Sequence, residues 1–397
     1  MSDAPLRVAI VGCGVIGRHH AVVLANHPRF EVTALVDSLA AAAEEVAELL
    51  VSGHAAPRPT VSTRLDDVLT RDDVDLVAVC TPSGTHVDIA TEAVMAGRHT
   101  VIEKPLDVDL AKGRRFAELA EDAAARGIRI AVISQHRFDP ASIAVQRAVA
   151  DGRFGRISSA VASVAWWRSQ EYYDGGDWRG TWALDGGGAV MNQGVHTVDL
   201  LCWFLGHPVD VQAHTGLLAH ERLEVEDTAV AIVRFDSGAL AVMHATTAAY
   251  PGLTARIQVH GDLGSAIIDN DRLEYFHAAG AAGGGNSPDG AGGVAGGEVT
   301  GNSAKTEVGF VETAAAPRRD DEFIVAHSRQ YDDIARSIDT GATPGVSVHD
   351  ALLSLAVVRS LYLSSTLGRR IRIEDVLAGQ HDSMRVHTGD LQAGSPS

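Results

Sequence analysis

The chain has 397 residues, 46% hydrophobic and 21% charged, with 33 Lys and Arg against 51 Asp and Glu and a formal net charge of −18. That length exceeds what one core usually supports, so two domains are expected; the acidity, without any basic run, excludes a nucleic-acid partner. No stretch approaches the roughly 18 to 20 unbroken apolar residues of a membrane helix. The opening MSDAPLRVAIVG has no basic-then-apolar leader, and Cys13, Cys80 and Cys202 stand far apart. A cytoplasmic protein without a membrane partner, disulfide scaffold or metal site is expected.

From residue 6, short apolar runs alternate with amphipathic stretches. LRVAIVG, FEVTALVD, VDLVAVCT (74–81), HTVIEK (99–104) and IRIAVIS (128–134) read as strands, with helices over 16–25, 39–50, 86–97 and 108–126 between them. The runs are continuously apolar, as in strands covered on both faces. Their alternation with helices predicts an α/β fold with an N-terminal, doubly wound parallel sheet. After Phe138 the strands lengthen and alternate in polarity: ISSAVASVAWW, DTAVAIVRFDSG, ALAVMHATTA, ARIQVHGDLGSAIID and RLEYFHA. These predict a C-terminal α+β domain with a large, mainly antiparallel open sheet and helices at 140–151, 189–205, 323–339 and 347–367. The domains are expected at 1–138 and 139–376. The glycine-rich tract 278–303 is expected to be a flexible surface loop, because glycine makes ordering costly and has no side chain to pack. The polar, unpatterned residues 377–397 are expected to form a loose tail.

VAIVGCGVIGRHH places Gly12, Gly14 and Gly17 as GxGxxG between a strand and a helix. The first glycine permits a tight turn, the second lets backbone approach a pyrophosphate, and the third lets helix and strand pack closely, while the helix start at Val15 and Ile16 turns its amides to the phosphates. Asp37 ends the next strand, where a carboxylate accepts the adenosine ribose hydroxyls of a Rossmann-type site. It would repel a 2′-phosphate, and no arginine follows in DSLAAAA, so NAD is expected rather than NADP. Cys13 reads as a small buried thiol, and His19 and His20 as solvated or core-edge residues.

AGRHTVIEKPLDVD (96–109) puts Lys104 at the carboxyl end of a parallel strand, where side chains enter the ligand crevice, and Pro105 restricts the backbone before it. GGGAVMNQGVHTVDLL (186–201) has three glycines but no Lys-Ser/Thr pair, so it is not a phosphate loop. On an α-helix of about 100° per residue, Asn192, His196 and Asp199 fall within roughly 60° of one another. Met191, Val195, Val198 and Cys202 form an apolar stripe beside them.

AGRHTVIEKPL resembles the AGKHVxxEKP signature of the Gfo/Idh/MocA family of NAD(P)-dependent sugar and polyol oxidoreductases. The glycine fingerprint, CTPSGTH (80–86), SQHRFDPA (134–141) and GGGAVMNQGVHTVD follow that family's order within residues 6–375. The resemblance implies that Lys104 binds the reacting hydroxyl and assists proton transfer, and that His196 is the general acid/base. It implies that Thr81, Pro82, His86, Glu103, Lys104 and Gln135 line the nicotinamide half of the cofactor site, and that Asp199 orients His196. Inositol-type members carry aspartate where this chain has Asn192, which cannot take a proton. Asn192 is therefore expected to orient substrate, and branches acting on nucleotide sugars or glycosides look similar here.

Residues 166–188, WWRSQEYYDGGDWRGTWALDGGG, hold four of the five tryptophans and two of the six tyrosines. Aromatic faces stack on sugar rings, and forked guanidinium groups hold phosphate or carboxylate. Arg168, Tyr172, Tyr173, Trp178 and Arg179 are expected to contact a carbohydrate substrate, neutral or anionic; Trp166 and Trp167 suit a ligand or a subunit contact equally. A homo-oligomer, dimer or tetramer, is expected through the C-terminal sheet. The expected activity is oxidation of a ring hydroxyl of a sugar, glycoside or nucleotide sugar. The alternatives are a glycosidase that oxidises, eliminates and re-reduces without net NADH, and a non-catalytic sensor.

Overall fold

The computed structural model describes residues 4–54, 56–176, 178–279, 301–317 and 321–388. Contacts divide the chain into two compact units, one of Met1–Gln135, Gly176–Gly187 and Asp320–Ala356, the other of His136–Gly175, Gly188–Arg319 and Val357–Ser397.

The first unit is built on β1 (Leu6–Val11), β2 (Phe30–Val36), β3 (Thr60–Ser62), β4 (Leu76–Val79), β5 (His99–Ile102) and β6 (Ile130–Val132). They pair in parallel in the order β3-β2-β1-β4-β5-β6. This is the Rossmann order, which reverses between β1 and β4 and so opens a crevice at their carboxyl ends. Ile10, Leu35, Leu76 and Ile102 are no more than 1% exposed, as expected of strands covered on both faces. The periodicity passes over β3 and the single turn of helix Asp66–Leu69, which are too short to show a period.

Helix Glu322–Thr340, far along the chain, packs in this unit. It buries Ala326, His327, Gln330, Tyr331 and Ile334 along one stripe, and Tyr331, Ile334 and Ala335 join the core formed by β1, β2 and helix Val15–Ala25. The buried amide of Gln330 accepts from Ser134 N–H at 3.0 Å and donates to Val132 O at 2.8 Å.

The second unit holds β7 (Ile157–Ala165), β8 (Pro208–Gly216), β9 (Thr228–Phe235), β10 (Leu240–Thr246), β11 (Ala255–Gly261), β12 (Gly264–Asp269), β13 (Arg272–Ala278) and β14 (Ile371–Arg372). The sheet order is β13-β12-β11-β7-β10-β9-β8-β14, antiparallel except for the parallel pair of β10 with β7. Along β9, Ala229, Ala231, Val233 and Phe235 are buried while Val230 and Ile232 are 48% and 56% exposed, the period-two signature of a sheet with one covered face. Between β12 and β13, Asn270 and Asp271 form a two-residue loop at φ 44° and 69°, the positive angles a type I′ hairpin requires and which Asn and Asp tolerate.

Among the described residues, one helix, Val348–Leu367, has the length and hydropathy to cross a membrane, but 67% of its most apolar window is buried in the protein. The stretch expected to be a loose tail is held as far as Thr388. Its Oγ1 donates to Glu224 O at 2.8 Å, and His387 N–H donates to Thr366 Oγ1 at 3.1 Å. Hydroxyl and backbone bonds of this kind leave no hydrophobic period for sequence reading to find. Residues 280–300 of the glycine-rich tract and residues 389–397 lie outside the described residues.

Gln330→Ala removes both partners of a buried strand end and is expected to lower stability by about 1–3 kcal/mol. Denaturant unfolding of the full chain checks this.

Candidate active site

In the first unit, the turn after β1 has the spacing a dinucleotide needs. Gly12 sits at φ 93°, and a Cβ there would lie 2.6 Å from Cys80 O; a Cβ on Gly17 would lie 1.8 Å from Gly12 O. A Cβ on Gly14 would meet nothing within 4 Å, so the backbone there is open to a ligand. Helix Val15–Ala25 starts next, with Val15 71% exposed and Ile16 half-buried. Asp37 Oδ2 accepts from Cys13 N–H at 2.8 Å and Oδ1 from Leu39 N–H at 2.9 Å, which fixes the carboxylate beside the glycine turn. Burial and the Asp37 charge push the Cys13 thiol up to about 12, so it stays a neutral packing group.

Lys104 follows β5, and its N–H donates to Glu103 Oε2 at 3.0 Å. Glu103 is 4% exposed, and its Oε1 lies 2.8 Å from His20 Nε2 and 3.9 Å from His327 Nε2. His20 Nδ1 lies 2.7 Å from Tyr331 Oη. With the Tyr331 hydroxyl donating to Nδ1 and Nε2–H donating to the carboxylate, the His20 ring meets both partners. Burial alone would raise the Glu103 carboxyl, but His20, Lys104 and His327 outweigh it and hold it at about 2. His20 thus belongs to the interior framework rather than to the surface.

His86 is also internal. Its Nδ1 and Nε2 each lie 2.8 Å from a carbonyl, of Pro105 and Thr81 respectively. The polar atoms of His86 and Glu103 are engaged by protein groups, so these two residues shape the wall that carries Thr81, Pro82 and Lys104. Gln135 is 5% exposed.

In the second unit, the segment after the glycines is a π-helical turn, Val190–Gly194, which continues as α-helix Val195–Leu205. The α-helical wheel that groups Asn192 with His196 therefore does not apply across the junction; a π-turn carries more residues per turn and is frequent at functional sites. The anchor of this turn is Glu226. Its Oε2 accepts from Gly188 N–H and its Oε1 from Val190 N–H, each at 2.9 Å, and Tyr362 Oη donates to Oε1 at 3.0 Å. Any side chain at Gly188 would collide with Glu226 O, 1.6 Å from a Cβ. The ring of His196 meets that of His136 edge-on, centroids 4.9 Å apart. Asp199 is 4% exposed and takes a two-pronged bond from Arg137, with both contacts at 2.7 Å. A guanidinium thus meets both of its oxygens, a partner the sequence did not suggest.

The aromatic-rich loop is divided between the units. In the first, the Arg179 guanidinium lies 4.7 Å from the Trp178 ring centre. In the second, Arg168 is flanked by Trp166 and Tyr172, each ring 5.3 Å away, and its buried Nε makes no hydrogen bond among the described residues. Tyr173 packs in the interior, 5% exposed, with its hydroxyl 2.7 Å from Thr247 Oγ1.

Two family models match this chain: "Oxidoreductase family, NAD-binding Rossmann fold" over residues 6–130 and "GFO/IDH/MocA C-terminal domain" over residues 143–267. The chain belongs to the GFO/IDH/MocA oxidoreductase family. It is similar to the inositol 2-dehydrogenase of Rhizobium meliloti (strain 1021), 28% identical over 67% of this chain and 76% of that one. It is similar also to the scyllo-inositol 2-dehydrogenase (NAD(+)) of Bacillus subtilis (strain 168), 26% identical over 68% and 75%. The solved WlbA dehydrogenase of Bordetella pertussis, in complex with NADH and UDP-GlcNAcA, superposes with a TM-score of 0.76 at 31% identity, covering 94% of this chain and 99% of that one. This member of the GFO/IDH/MocA family is thus an NAD-dependent oxidoreductase, and its glycine turn and Asp37 fit that cofactor.

Sequence reading passed over three supports of the site: Glu226 beneath the glycine turn, Arg137 on Asp199, and His136 beside His196. The run EVEDTAV gave no signal for a buried carboxylate beyond two acids opening an apolar strand.

Burial pushes the Glu226 carboxyl up to about 7 from an ordinary 4.5, against the pull of its backbone donors and Tyr362. A raised carboxyl contributes stability fully below about 4.5 and loses it as pH rises through about 7. Glu226→Ala strands three buried donors and is expected to cost about 3 kcal/mol or more. Its deficit in melting temperature should be larger at pH 5 than at pH 8, measured by calorimetry at both.

Proposed function

We propose that the protein oxidises a ring hydroxyl of a sugar, glycoside or nucleotide sugar. The observation that carries this reading is Lys104, placed at the carboxyl end of a Rossmann strand with its own amide tied to the buried Glu103 carboxylate. Gly12, Gly14, Val15, Ile16, Gly17 and Asp37 would hold the adenosine and pyrophosphate half of NAD; Thr81, Pro82, Lys104 and Gln135 would border the nicotinamide half, with His86 and Glu103 behind them. NAD, when bound, supplies the two-electron acceptor. Lys104 donates to the substrate oxygen and stabilises its developing negative charge, while His196 takes the alcohol proton. Asn192 donates and accepts hydrogen bonds without changing its charge, so it orients the sugar. Arg168, flanked by two rings and lacking a carboxylate partner among the described residues, suits an anionic group on the substrate. The WlbA relative is solved with UDP-GlcNAcA, which favours an acidic nucleotide sugar here.

A second copy of the chain is the proposed cover for the open face of the second sheet, where Val230, Ile232, Leu240 and Val242 are 48%, 56%, 52% and 43% exposed. Apolar rows on adjacent strands call for burial.

NADH formation from NAD with a panel of neutral and acidic sugars and nucleotide sugars tests the activity. Lys104→Ala and His196→Asn are each expected to lower kcat about a hundredfold or more; wild-type turnover by Lys104→Ala overturns the reading, and aglycone release without NADH replaces it with redox-neutral cleavage. Ile232→Lys is expected to shift the protein toward smaller species in light scattering, and an unchanged mass overturns the sheet-face assembly.

A further inference from the structure

The sequence motif SQHRFDPA contributes more than a connection to the second unit, because it sets a histidine against His196. The two rings are perpendicular, at 88°, with centroids 4.9 Å apart. His136 Nδ1 lies 2.9 Å from Asp139 Oδ2 and 3.1 Å from Asp271 Oδ1. Asp139 immediately precedes helix Pro140–Ala150. Asp271 is presented by the type I′ loop between β12 and β13, and its side chain is 51% exposed. One imidazole thus faces two carboxylates, and only its protonated form balances part of that charge.

The two arginines that flank this group in sequence have partners of their own. Arg137 pairs with Asp199 and lies over the Trp203 ring at 5.5 Å. Arg272, next to Asp271, donates to the carbonyls of Ala316 and Pro317. Among the described residues, the titratable groups in contact with His136 include Asp139 from its own segment, Asp271 from the hairpin and His196 from helix Val195–Leu205.

We propose that His136 is a positioning residue for the reaction: held as an imidazolium by Asp139 and Asp271, it keeps the neighbouring His196 neutral and ready to accept the alcohol proton. Burial works against charging His136, but the Asp271 charge and the two carboxylate bonds outweigh it and hold the group well above the ordinary histidine value. A cation beside a second imidazole disfavours a second proton, so His196 loses its proton more readily than it would alone. After His196 takes up a proton from substrate, the same repulsion favours its release, which lets the residue return to the accepting form. The half-exposed Asp271 places this pair one side chain from water.

The inference rests on His196 as the proton acceptor of the proposed function, and its test is independent of knowing the substrate. Histidine resonances of the ¹⁵N-labelled full chain with NAD are followed against pH, the His196 signal being assigned by its loss in His196→Asn. In His136→Asn the His196 midpoint is expected to rise by about one pH unit or more, because a cation is lost and both carboxylates remain. Equal His196 midpoints in wild type and His136→Asn, with melting temperatures unchanged, overturn the inference. Asp271→Asn, on an exposed turn whose left-handed angle asparagine accepts, is the second variant. It is expected to lower the His136 midpoint, and an unmoved His136 midpoint also overturns the inference. With any sugar the wild type oxidises, the acidic limb of kcat/KM should move up in His136→Asn by the same interval as the resonance. A His196→Asn protein that turns over at the wild-type rate defeats the catalytic assignment of His196, whereas the coupling between the two rings stands or falls on the resonances.

Discussion

An ionised carboxylate inside a Rossmann sheet is the constraint around which the first unit is arranged. Removing Glu103 from water costs several kcal/mol unless its oxygens are met by donors in good geometry. His20 from the helix after the glycine turn and the N–H of Lys104 supply these, and His327 and Tyr331 of helix Glu322–Thr340 close the group. Three segments distant in sequence are thereby pinned to one another: helix Val15–Ala25, the end of β5, and a helix more than two hundred residues further along the chain. The glycine turn proposed to receive the cofactor and the lysine proposed to act on substrate therefore share one internal anchor.

The second unit solves a related problem with Glu226. The start of a helix leaves backbone N–H groups without intrahelical partners. Here a buried carboxylate takes two of them, with Tyr362 donating to the same group. This arrangement requires glycine at position 188 and precedes a π-turn, so the direction of Asn192 is set by the carboxylate and the turn together. The Arg137–Asp199 pair, with Trp203 beside it, fixes the next turn of the helix and with it the setting of His196.

Much of this could be read in the sequence where the physical requirement is local. Gly12 and Gly17 have no room for a side chain, Asp37 directly follows its strand, and the continuous apolar runs of β1, β4 and β5 belong to strands covered on both faces. The alternating runs of β9 and β10 likewise disclosed a sheet with an open face. What escaped depends on partners far along the chain. Helix Glu322–Thr340 has the amphipathic stripe of any surface helix, and nothing in that stripe names the sheet it covers. The π-turn leaves the pattern of polar and apolar residues intact while rotating helix Val195–Leu205 relative to the glycines. Tyr173, within an aromatic loop suited to sugars, proved to be an interior residue because its hydroxyl finds Thr247.

The side-chain amide of Gln330 also bears on how copies of this protein can meet. β6 is the last strand of the parallel sheet, and an uncovered last strand offers a row of backbone groups on which another chain can add a strand. By occupying Val132 O and Ser134 N–H, and with Val346 O accepting from Val132 N–H at 3.3 Å, the chain fills those positions with its own atoms. Growth of the parallel sheet by strand addition is blocked at that end, so the edge that β6 would otherwise present to another strand is closed by the chain itself.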